Sequence, residues 1–181
     1  MSGVYGKRKR GVRMKQKSKK LALLGLCTAA AMVLSYVESL IPLFLPGLKI
    51  GLPNVVIVFV LYQAGWLSAA GVSLVRVGLV AVLFGNTLSL AYSFAGAVLS
   101  LLVMGLLKKV GFFSAVGVSV AGGVSHNGAQ IAVAAAVMRT SQLLYYLPAL
   151  IIGGTIAGVL IGIAGGILLR RLPAADLLER H

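Results

Sequence analysis

Residues 142–171 read QLLYYLPALIIGGTIAGVLIGIAGGILLRR, with no charged side chain before the closing arginine pair. A helix rising 1.5 Å per residue needs about 20 apolar residues to cross the roughly 30 Å hydrocarbon core of a bilayer. The stretch from 142 to 169 meets that length, and Arg170–Arg171 stop it where headgroups would begin. Read outward from this segment, the chain stays apolar with brief interruptions back to Leu21. Five more spans fit, near 21–41, 55–68, 70–85, 87–107 and 112–138. Between the first two lies PLFLPGLKIGLPN (42–54), whose prolines and glycines forbid one regular helix.

Composition supports the same reading. Only 11% of the 181 residues are charged and 59% are hydrophobic, whereas an ordinary soluble domain is about 25% charged. A soluble chain of this length has too little core to hide that much apolar surface. The expected fold is therefore all-α: a polytopic membrane bundle of about six transmembrane helices over 21–169. A basic, disordered cytoplasmic tail is expected at 1–20 and a short cytoplasmic tail at 170–181.

The placement of charge sets the expected orientation. Nine of the seventeen Lys and Arg residues fall in the first twenty positions. A basic run before an apolar segment holds that end in the cytoplasm and attracts anionic lipid; it does not need a nucleic-acid partner to explain it. With six spans, Lys108–Lys109 and Arg170–Arg171 share the cytoplasmic side with the tail, and both termini are cytoplasmic. The first span continues past Ala31 with no polar mature start, so it reads as retained rather than as a cleaved signal.

Several chemistries are excluded. Glu38, Asp176 and Glu179 are the only carboxylate side chains, so no acidic cluster can hold Mg²⁺ or Ca²⁺. Cys27 is the lone cysteine, and no Walker A run is present. No metal site, cofactor or catalytic residue is expected.

A polar side chain within the bilayer is costly unless paired or hydrated, which makes each one a functional candidate. Glu38 falls near the outer end of the first span, as a solvated or helix-end carboxylate at the interface, or as an acceptor for a substrate cation or a partner for Lys49 or Arg139. Arg76 lies in the third span, where it either snorkels or ties internally; an axial offset of roughly 15 Å argues against pairing with Glu38. The densest group is SHNGAQ (125–130). His126, Asn127 and Gln130 share a helix face by their three- and four-residue spacing, suited either to binding a ligand or to hydrogen bonds between helices. Asn54, Asn86, Tyr145 and Tyr146 are expected at outer span ends. Glu38, Lys49, Asn54, His126, Asn127 and Gln130 together suggest an outward pocket for a small molecule.

Small residues at four-residue spacing let helices approach closely in lipid. Gly154, Gly158 and Gly162 form one such stripe, which reads as packing within the bundle. Gly25 and Ala29 form another on the first span, which reads either as internal packing or as a dock for a further membrane subunit.

ESLIP (38–42), GLKIGLPN (47–54), LVR (74–76), GVSVAGGVSHNGAQ (117–130) and YYLP (145–148) resemble the bacterial Gx transporter family, also described as heptaprenyl diphosphate synthase component I. The family is similar to the substrate-binding S components of energy-coupling factor transporters. That resemblance implies a bacterial cytoplasmic membrane protein with an outward pocket for a vitamin or cofactor precursor. It also implies that Gly25 and Ala29 dock a T subunit carrying two ATPases. The other description implies a non-catalytic membrane component of polyprenyl diphosphate synthesis. Prenyl synthase chemistry needs Asp-rich Mg²⁺ motifs, which a chain with one Asp lacks.

Overall fold

The computed structural model describes residues 2–40, 51–84 and 87–172. Six helices follow in order: α1 (Ser2–Ser39), α2 (Asn54–Ala64), α3 (Trp66–Phe84), α4 (Thr87–Val110), α5 (Ala115–Val137) and α6 (Leu147–Arg171). A 3-10 turn at Ser141–Tyr146 leads into α6. No strand occurs among the described residues. Lys49, Asn86, Asp176, Glu179 and His181 lie outside them.

The chain is a helical membrane bundle. Its lipid-facing character shows in large apolar side chains left on the outside, among them Leu67, Val82, Leu106, Ile152 and Leu160. In water such a surface would drive association; in a bilayer it is the solvated face. Among the described residues four helical stretches are long and apolar enough to cross: Gln16–Ser39, Trp66–Leu83, Leu90–Val110 and Ser141–Arg171. α5 has the length but is interrupted by its polar segment. α2 has the apolarity but only 11 residues, about 17 Å of rise.

Two differences from expectation bear on the architecture. The second span, expected to reach residue 68, stops at Ala64 because Gly65 takes φ 86°, a left-handed conformation that suits glycine and ends the helix. α3 therefore starts at Trp66, four residues earlier than expected. The second difference concerns the basic segment, expected as a disordered tail but helical here from Ser2 and continuous with α1. Lys, Arg, Gln and Met are good helix formers, and no proline occurs before Pro42.

α5 packs between α4 and α6, α4 meets α3, and α2 rests on both α3 and α6, closing a ring. α1 lies outside that ring against α2 and α3. Six consecutive residues of α2, Val56 to Leu61, are buried, as expected for a helix that is apolar all round and central. With no water in a bilayer core, a helix remains the way for these β-branched residues to satisfy their own backbone.

The α5–α6 seam is built on glycine. A Cβ at Gly158 would lie 2.6 Å from the Val120 Cα, and one at Gly162 2.6 Å from the Val116 Cα. One at Gly123 would lie 2.7 Å from the Gly154 carbonyl oxygen. The stripe on α6 is thus packing within the bundle, as its spacing suggests. On α1 nothing among the described residues approaches within 4 Å of a Cβ built at Gly25, and Ala29 is exposed.

Hydrogen bonds fix which helix ends lie together. Lys108 Nζ donates to the Leu61 carbonyl at 2.6 Å and Gln63 Nε2 to the Leu172 carbonyl at 2.6 Å. The C-terminal ends of α2, α4 and α6 therefore form one end of the bundle, carrying Lys108, Lys109, Arg170 and Arg171. Glu38, on α1, and Asn54, at the start of α2, occupy the opposite end.

Candidate functional site

α5 begins with Ser114, whose hydroxyl accepts the Gly117 amide at 3.2 Å and caps the helix. From that fixed start, His126 to Gln130 fall about 16 to 23 Å along α5, at the middle of the helix and slightly beyond. The later start of α5, at Ala115 rather than 112, makes the cluster more central than the sequence suggests.

His126, Asn127 and Gln130 are all buried, but they do not face the same neighbour. Asn127 turns toward α6, where its Nδ2 donates to the Leu150 carbonyl at 3.0 Å. Gly154 makes the room: a Cβ there would stand 2.9 Å from that same nitrogen. Asn127 is therefore an interhelical tie. His126 and Gln130 turn toward α4, against Gly96. A Cβ at Gly96 would lie 2.8 Å from Gln130 Cγ and 2.9 Å from His126 Cε1. Gln130 is 5% exposed, and its Nε2 has no hydrogen-bond partner among the described residues. Most buried amides are paired, and one left unpaired costs about 1–3 kcal/mol. Ser125 closes onto its own helix, at the Ala121 carbonyl, 2.7 Å away.

A second polar group joins α1, α3 and the start of α2. Glu38 is buried and accepts a hydrogen bond from the Gly51 amide. Gly51, at φ 79°, also faces Asn54: a Cβ on it would be 2.9 Å from Asn54 Nδ2. On the neighbouring turn of α1, Ser35 Oγ accepts from Arg76 Nη1 at 3.2 Å and donates to the Ala31 carbonyl at 2.8 Å. The earlier start of α3 sets Arg76 four residues, about 6 Å, further along its helix than expected. Arg76 is tied inward rather than snorkelling, and its Nε is buried with no hydrogen-bond partner among the described residues.

The expected pocket residues thus fall into two groups. Glu38 and Asn54 meet at Gly51, while His126 and Gln130 meet at Gly96. Among the described residues no three His, Cys, Asp or Glu side chains come close enough to hold a metal. Sequence reading missed Gly96 and Ser35, each an isolated small residue with no pattern around it. It also passed over Trp66, the single tryptophan, whose Nε1 donates to the Leu101 carbonyl at 3.0 Å.

Compared with known families, residues 27–168 match the model for heptaprenyl diphosphate synthase component I. The chain belongs to that family. No curated protein and no solved structure matches it.

Proposed function

We propose that the chain is a non-catalytic membrane subunit that binds a small molecule in the bundle beside His126 and Gln130, for uptake across the bacterial cytoplasmic membrane. The carrying observation is the buried Gln130 amide, whose Nε2 has no partner among the described residues and which packs with His126 against Gly96. A ligand with a hydrogen-bond acceptor would remove that penalty, as suits a vitamin or cofactor precursor. The Glu38–Gly51–Asn54 group is a second set of polar contacts near the bundle end by which such a molecule would enter. On this reading both termini are cytoplasmic, and the open Gly25–Ala29 face of α1 receives an energising partner such as a T subunit with its ATPases.

The test is metabolite mass spectrometry on protein purified in mild detergent, wild type against Gln130→Leu. The wild type is expected to carry a small molecule that the variant loses, with no fall in its unfolding temperature. Equal retention in both would overturn this site.

A second reading follows from the family description: a membrane component that assists a separate polyprenyl diphosphate synthase. Deleting the gene would then lower prenyl synthase activity in membranes, and unchanged activity would eliminate the reading.

A further inference from the structure

At the basic end of the bundle, a cleft of about 410 Å³ lies between the end of α2, the start of α3 and the end of α4. It is well separated along the helices from Gln130 and from Glu38. Its walls are Leu61, Trp66, Leu102 and Leu106, and Lys108 and Lys109 stand beside them. Gly105 sets its depth, because a Cβ there would collide with the Trp66 indole. The indole is held by its bond to the Leu101 carbonyl. The cleft therefore has a fixed shape, and its volume lies in the range of small-ligand sites.

Its chemistry is divided. The wall side chains are apolar and reach the lipid-facing surface, where Leu102 and Leu106 are exposed. Lys108 is pinned by the Leu61 carbonyl and lies 5.0 Å from the centre of the Tyr62 ring. An ammonium group has three donors, and the Leu61 bond uses one. Lys109 is exposed beside it. Neither lysine has an acidic neighbour in sequence: the nearest carboxylates are Glu38 and Asp176. A cleft with an apolar wall open to lipid and two cations at headgroup level matches an amphiphile with an anionic head.

We infer that this cleft binds an anionic phospholipid of the surrounding bilayer, its phosphate on Lys108 and Lys109 and an acyl chain against Trp66, Leu102 and Leu106. Basic pockets between transmembrane helices bind anionic headgroups in this way. The site is distinct from the diffuse attraction expected of the N-terminal basic segment.

Native mass spectrometry of the full chain in detergent, titrated with phosphatidylglycerol or with phosphatidylcholine, tests the assignment. One phosphatidylglycerol should be retained in preference to phosphatidylcholine. At about one surface-lysine contribution each, Lys109→Gln should weaken retention roughly fivefold, and the Lys108→Gln, Lys109→Gln double variant roughly thirtyfold. Lys19→Gln with Lys20→Gln should leave it unchanged. Because Lys108 also holds α2, the single Lys109 variant keeps the test valid if the double variant unfolds. Equal retention of the two lipids, or equal weakening by the Lys19 and Lys20 changes, would overturn the site. Displacement of the phospholipid by added farnesyl diphosphate would overturn the occupant and replace it with an isoprenoid diphosphate.

Discussion

α6 and α1 carry small residues at the same four-residue spacing, yet the two stripes meet different surroundings. Gly154, Gly158 and Gly162 receive the backbone of α5 at near-contact distance, whereas Gly25 meets nothing among the described residues within 4 Å. The spacing encodes only that a close approach is allowed. Whether a helix of the same chain uses it depends on the ring order, in which α6 is flanked by α5 and α2 while α1 stands outside.

The contrast can be broken or sharpened by substitution. The largest effect is expected at Gly158. A valine there would push its Cβ to within 2.6 Å of backbone on α5, where nothing flexible can yield. Gly158→Val should cost about 3 kcal/mol or more, read as a lowered unfolding midpoint in detergent. A midpoint within error of wild type would mean that the seam can open. A smaller effect is expected from Asn127→Leu, which removes the tie to Leu150. Interhelical side-chain bonds in membranes are worth about 0.6–2 kcal/mol, and the larger leucine would crowd Gly154. Its midpoint should fall, in contrast to that of Gln130→Leu three residues away. If both variants fall equally, the two faces of α5 do not differ as described. The smallest effect on folding is expected at Gly25: valine should leave the midpoint unchanged while reducing co-purification of membrane partners. A clear fall in the midpoint would place the α1 stripe among the bundle's own contacts.

Much of the fold was legible because hydropathy and chain punctuation act locally. The arginine pair after Leu169 and the lysine pair after Leu107 mark helix ends that the structure places within three residues. Gly65 was in plain view, yet its consequence, a helix of 11 residues, depends on its sign of φ rather than its identity. The polar cluster was legible as a helix face. What spacing does not give is which neighbour each member of that face meets: Asn127 went to α6 and Gln130 to α4. The depth of Arg76 in α3 was misjudged for a related reason, since axial positions inherit every error in a helix start. The basic segment was read by its charge, while its helix propensity pointed the other way.

The bonds at the end of α2 also bear on how the chain enters the membrane. At about 17 Å this helix is too short to partition alone as a spanning segment, and the single glycine at 65 couples it to α3 as a hairpin. Two of the hydrogen bonds at that end come from elsewhere: Lys108 reaches Leu61, and Gln63 reaches Leu172. During synthesis those partners emerge after α4 and after α6. This buried central helix is thus closed by later-made parts of the chain, and a nascent protein released before α6 would leave its centre unsealed.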